Sequence, residues 1–135
     1  MKRIVNVLAI ALFLAGGSQV VSAQCEDSDD HAKILAVKFH ADYCGSCKAL
    51  TPSIKELETK LDGEAVEFVV FDFTSDESKK KSEELAEELG VEDLYKKNQA
   101  TGFVLLVNTE SKEQVGKLTR KQSSEEMYET IKNLL

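Results

Sequence analysis

Two cysteines three residues apart close an apolar run and open a helical pattern in "VKFHADYCGSCKALTP", Val37 to Pro52. No other stretch constrains the fold as strongly. The run before them, "KILAVKF" (Lys33 to Phe39), is continuously apolar rather than alternating, the pattern of a strand covered on both faces. From about Cys44 to Leu61 the apolar residues Leu50, Ile54, Leu57 and Leu61 recur at helical spacing, which predicts an amphipathic helix. Gly63 then punctuates the chain, and "AVEFVVFDF" (Ala65 to Phe73) reads as a second buried strand. A strand, a helix and a strand in that order imply a parallel pair with helices against the sheet.

The rest of the chain continues this α/β pattern. Ser75 or Asp76 can cap a second helix, whose narrow apolar stripe is Leu85, Ala86 and Leu89 and which Gly90 can end. Its "KKK" and "EELAEEL" runs read as a solvated helix face. "VEDLYKKNQ" offers at most a short helical turn. "GFVLLVN" (Gly102 to Asn108) is a third strand, "EQVGKLT" (Glu113 to Thr119) an edge-like fourth close enough for a hairpin, and "SSEEMYETIKNLL" a capped terminal helix. The expected order is β-α-β-α-β-β-α, a central mixed sheet of about four strands flanked by helices. There is no internal repeat, low-complexity tract or linker, so residues 33–135 read as one domain.

The first residues stand apart. Met1-Lys2-Arg3 is a short positive segment, "IVNVLAIALFLA" (Ile4 to Ala15) is mostly apolar, and "GGSQVVSA" ends with Val21 and Ala23 where a signal peptidase reads small residues. Twelve residues rise only about 18 Å as a helix, short of a ~30 Å hydrocarbon core, so residues 1–23 read as a cleaved signal peptide rather than an anchor. The mature chain is expected to be periplasmic or secreted, without membrane insertion. Residues 24–32 form an acidic tail holding His31 and Cys25. Cys25 is the odd one of three cysteines, a lone thiol or a link between two chains; Gln24 before it argues against a lipid. Loss of Lys2 and Arg3 takes the formal charge from −7 to −9, which disfavours nucleic acid and anionic membrane surfaces as partners.

Export puts thiols in an oxidising setting, where Cys-X-X-Cys need not be a zinc clamp. At a strand-to-helix junction Cys44 sits at the helix N-terminus and Cys47 about one turn on. Exposed backbone N–H groups and the positive dipole end favour a thiolate at Cys44, the species that attacks a disulfide. Gly45 keeps the approach open, and Cys47 is within reach to resolve a mixed disulfide. A structural staple is a poor reading, since so small a loop removes little unfolded-state entropy. A metal-binding or metal-delivery module using Cys44, Cys47 and His40 is a second reading, but a structural zinc site commonly wants two such pairs. No cofactor is expected.

This segment resembles the active site of the thioredoxin family: a buried strand, an aromatic, Cys-Gly-Pro-Cys-Lys and a proline five residues later. Here those positions are Tyr43, Cys44-Gly45-Ser46-Cys47-Lys48 and Pro52, and the element order extends the resemblance from about Lys33 to Leu135. It implies a thioredoxin-like fold, an oxidoreductase exchanging disulfides with protein substrates and a redox partner, Cys44 as attacking and Cys47 as resolving cysteine, and a substrate groove at Tyr43, Thr101 and Gly102. The alternative within the same fold is a non-catalytic interaction domain. The family's amino-terminal strand and helix look missing or shortened.

Three positions depart from the pattern. The family's cis-proline site is held by Thr101-Gly102, since Pro52 is the chain's one proline. The family's buried acid, a proton acceptor, aligns with Lys38, which could instead reach solvent or pair with Asp72 on the next strand. His40 at the strand end reads as a partly buried packing histidine or as a group that titrates near the thiols, and Asp42 as an ordinary exposed carboxylate or an alternative proton acceptor. Ser46 replaces the proline between the cysteines. Gly45, Ser46 and Lys38 are therefore expected to tune the redox pair.

Overall fold

A computed structural model describes residues 31–135; the expected signal peptide, Cys25 and most of the acidic tail lie outside the described residues. The apolar run forms β1 (Ile34–His40), followed by α1 (Gly45–Lys60), β2 (Val66–Asp72), α2 (Asp76–Glu88), α3 (Glu92–Lys97), β3 (Phe103–Asn108), β4 (Gln114–Thr119) and α4 (Ser124–Lys132). The order differs from the expected one by α3 alone. "EDLYKK" makes a full six-residue helix with acids in its first turn and lysines in its last, the arrangement that suits the helix dipole.

The strands form one mixed sheet in the order β2-β1-β3-β4. β1 and β2 are parallel, with Ile34 opposite Val66 and His40 opposite Asp72. β3 runs antiparallel to both β1 and β4, so the expected hairpin is present. Side-chain alternation along β1 divides the core in two. Leu35, Val37, Phe39 and Ala41 pack with Phe71, Phe73, Ala86, Val91 and Tyr95 on the α2–α3 side. Ile34 and Ala36 pack with Leu50, Ile54, Leu57 and Leu61 of the first helical pattern and with Met127 and Ile131 of α4. All four expected apolar positions of α1 and its end are buried.

β2 corrects the sequence reading. Its apolar run suggested burial on both faces, but it is an edge strand among the described residues, and Val70 is 49% exposed. Apolar content alone does not separate a central strand from an edge strand whose outward valine faces solvent. Lys38 also lies elsewhere than on Asp72: its ammonium reaches Thr51 on α1.

The helix ends follow the sequence signals. Ser75 caps α2 in a reciprocal pair with Ser78, and Ser123 caps α4 with Glu126. Gly90 follows α2 at φ +68°, the left-handed conformation that glycine adopts without Cβ penalty. The lysine run of α2 lies along its solvated side, where Lys81 meets Glu77 at 2.7 Å and Lys79 meets Asp76 at 3.5 Å.

Candidate active site

The turn leaving β1 brings the cysteines to the start of α1. The Cys44 N–H donates to the Ala41 carbonyl at 3.0 Å. Cys44 is itself the N-cap, with extended backbone, and its Sγ accepts from the Cys47 N–H at 3.1 Å. Sulfur thus takes the capping place that an Asp or Ser oxygen usually fills. Cys44 and Cys47 are joined as a disulfide with their Cα atoms 5.2 Å apart.

The two sulfurs differ in surroundings. Cys44 is half-buried, whereas Cys47 is 0% exposed. Cys47 Sγ lies 3.6 Å from the Phe39 carbonyl oxygen, which already accepts the Gly102 N–H at 2.9 Å. One strand carbonyl therefore ties the buried sulfur to the loop entering β3.

Gly102 is held in place by two constraints. Its φ is +96°, and a Cβ built there would stand 2.7 Å from Ser46 Cβ and 3.4 Å from Cys44 Sγ. Glycine is the residue that meets both at once. Thr101, partly buried, precedes it. Gly45, by contrast, faces open space, as expected for a residue that leaves an approach to Cys44 clear. Tyr43 is 72% exposed beside Cys44, yet its Oη donates to the Phe73 carbonyl at 3.3 Å, so an exposed ring is fixed at one edge of the site.

Behind the pair, the Thr51 hydroxyl donates to the Cys47 carbonyl at 2.8 Å and accepts from Lys38 Nζ at 3.0 Å. Burial pushes the Lys38 ammonium below the ordinary lysine range, with Glu58 opposing the shift and Lys55 adding to it. Thr51 was not singled out in the sequence; its one signal is its place four residues after Cys47, where a helical threonine can reach back to a carbonyl. Asp72, opposite His40 across the β1–β2 pair, turns to Thr74 rather than to Lys38. Its Oδ1 accepts from the Thr74 N–H at 2.8 Å and from the Thr74 hydroxyl. Burial works to raise the Asp72 carboxyl, but the two Thr74 bonds and the His40 charge outweigh it and hold the group below the usual range. His40 Nε2 lies 3.3 Å from Asp42 Oδ1, and His31, the first described residue, is exposed. Among the described residues, no group of three or more His, Cys, Asp or Glu side chains is arranged to hold a metal ion.

A disulfide capping the first helix of a mixed four-stranded sheet defines a dithiol–disulfide protein. The thioredoxin family model matches residues 20–132. A relative in Schizosaccharomyces pombe, named as a candidate protein disulfide-isomerase, is 32% identical over 82 residues; the match takes in 55% of this chain and 17% of the relative. The chain thus spans about a sixth of the length of that relative. Among solved structures, the oxidoreductase DsbH superposes with TM-score 0.53 at 16% identity, over 79% of this chain and 74% of its own. A protein from Edwardsiella tarda superposes with TM-score 0.50 at 12% identity, over 73% and 81%. At these identities the structures speak to the fold. The chain belongs to the thioredoxin family.

Proposed function

We propose that this protein is an exported thiol–disulfide oxidoreductase that exchanges disulfides with protein substrates through Cys44 and Cys47. The observation that carries the reading is the asymmetry of the pair. Cys44 Sγ caps a helix and accepts a backbone N–H, while Cys47 is wholly enclosed. The capping N–H and the dipole end favour a thiolate on the sulfur that solvent and substrate can reach. That sulfur attacks a substrate disulfide, and Cys47, one turn away, displaces the substrate from the resulting mixed disulfide. Gly45 leaves the approach open, and Tyr43, Thr101 and Gly102 border the place where a substrate chain would lie.

Two experiments test this reading. The Cys47→Ser variant should accumulate a mixed disulfide with a substrate protein, and Cys44→Ser should accumulate none; the reverse pattern would exchange the roles. Export is supported by the positive, apolar and small-residue order of residues 1–23. The intact mass of protein from its native host should match a chain beginning at Gln24 without lipid on Cys25. A full-length mass or a diacylglyceryl adduct would overturn export in this form.

A further inference from the structure

Exchange at an enclosed cysteine raises the question of where its proton goes. Cys47 is fully buried, and a thiolate there has no water to solvate it, so its S–H bond breaks readily only if an acceptor lies within the fold. Resting on the function proposed above, we propose that His40 is that acceptor and Asp42 the residue that positions it.

Three observations support this assignment. First, β1 and α1 are in register at this level. Cys47 Sγ meets the carbonyl of Phe39, the residue before His40, and Lys38, two residues back, reaches Thr51, one helical turn on. A two-residue step along a strand is close to one turn of a helix, so His40, on the same strand face as Lys38, is placed level with the turn that carries Cys47. Second, His40 Nδ1 is buried with no hydrogen-bond partner among the described residues. A disulfide has no S–H to offer, so the oxidised pair leaves such an acceptor unfilled; the S–H of a reduced Cys47, whose sulfur lies 3.6 Å from the neighbouring Phe39 carbonyl oxygen, is the donor that the proposal assigns to it. Third, His40 Nε2 lies 3.3 Å from Asp42 Oδ1. A carboxylate at Nε2 selects the tautomer with the proton there and the lone pair on Nδ1.

The remaining charged neighbours are consistent with a ring that gains a proton. Asp72, opposite His40 across the β1–β2 pair, is ionised and shares Thr74 with the loop bearing Asp42. Lys38 opposes a positive ring but spends its ammonium on Thr51. From α1 the buried side brings Cys47, with Lys48 exposed beyond it.

In the mixed disulfide, Cys44 Sγ is bonded to a substrate sulfur and Cys47 is a thiol. The Cys47 S–H bond breaks and its proton passes to His40 Nδ1. The freed sulfur pair attacks Cys44 Sγ, forming the Cys44–Cys47 bond. The Cys44–substrate bond breaks, its electrons leave on the substrate sulfur, and that sulfur takes a proton from solvent. The dithiol is oxidised by two electrons, the substrate disulfide is reduced, and His40 returns its proton to solvent.

The test separates resolution from attack. Reduced wild type and His40→Gln are mixed rapidly with a peptide disulfide, and peptide thiol release is followed against pH, the first thiol leaving on attack by Cys44 and the second on resolution by Cys47. General-base assistance is typically worth about 10²–10⁴-fold, so a loss of at least tenfold in resolution is expected near neutral pH, closing at alkaline pH where the thiol ionises unaided. Asp42→Asn should show a smaller loss in the same pH range. In a Cys47→Ser background, His40→Gln should leave mixed-disulfide formation unchanged. Equal resolution rates across the pH range, or equal slowing of both steps, would overturn the proposal. A readout independent of turnover is the ¹⁵N shift of the ring in oxidised wild type, expected to show Nδ1 bare and Nε2 protonated; the opposite tautomer would also overturn it. If wild type released no peptide thiol at all, the proposed function itself would fall, and that arm reports it separately.

Discussion

Gly102→Ala tests the tightest contact in the site. Alanine at φ +96° occupies backbone space that L-residues avoid, at a cost of about 1–3 kcal/mol. Its Cβ would stand 2.7 Å from Ser46 Cβ, far inside ordinary contact, and overpacking of this kind costs about 1–3 kcal/mol more. The expected loss is therefore about 2–6 kcal/mol, a large part of the ~5–15 kcal/mol that holds a domain together. Denaturant midpoints of the oxidised variant measure it. Because two separate causes are invoked, Ser46→Gly in the alanine background should return the steric share and leave the backbone share. Gly102→Pro should be worse than alanine, since proline fixes φ near −65° and removes the N–H that bonds Phe39. A Gly102→Ala protein within about 0.5 kcal/mol of wild type, the scatter of an ordinary surface substitution, would refute the reasoning. So would a Ser46→Gly change that restored nothing.

Other perturbations follow from the same geometry. Lys38→Met removes a positive charge from behind the Cys47 turn, so thiolates lose support and the pair should become more reducing; one unit of thiolate pKa corresponds to roughly 30 mV for this couple, and titration against a glutathione series should show a drop of tens of millivolts or sink the idea. Asp72 has a folded pKa below its unfolded one, so its stabilisation is fully present above about pH 4 and is lost as pH falls through the folded value. Asp72→Asn should thus be less stable than wild type at neutral pH, with the gap narrowing in acid melts, and a pH-independent gap would contradict this. Leu57→Ala, in the fully buried stripe of α1, should cost about 2–5 kcal/mol in urea unfolding.

What could be read in the sequence was local. The α1 stripe, a cap for α2 at Ser75 or Asp76, a capped start to the terminal helix, the stop at Gly90 and the placement of Cys44 at a helix start all depend on residues within a few positions of one another, and each is present in the structure, with Ser75 and Ser123 as the caps. What escaped depends on pairings distant in sequence. Ser82 interrupts the apolar stripe of α2, yet it is buried because its hydroxyl accepts the Asp72 N–H at 2.8 Å and donates to the Ser78 carbonyl at 2.9 Å. Tyr95 looked like part of a stray turn, but its ring stacks on Phe73 and its hydroxyl donates to Lys79. In the site, the cysteines were legible from spacing and context, whereas the Lys38–Thr51–Cys47 chain and the Gly102–Ser46 contact arise only when β1, α1 and β3 meet. The edge position of β2 was hidden for a similar reason, because strand order is not written in strand composition.

The five rings that bridge β1, β2, β3 and α3 have an optical consequence. Phe39 packs against Phe71, Phe73 and Phe103, and Tyr95 closes the cluster on Phe71 and Phe73. The chain has no tryptophan and three tyrosines, so its near-ultraviolet signal divides by location. Tyr95, locked among rings on the α2–α3 side, carries a chiral absorption that persists while the fold is intact, whatever the state of the sulfurs. Tyr43, exposed and adjacent to Cys44, has the disulfide as its neighbour and a quencher of its emission. The Tyr43 share of the fluorescence, above the steady emission of Tyr95 and Tyr128, thus follows the electrons, while the Tyr95 dichroism follows the fold, two readings from one unlabelled sample.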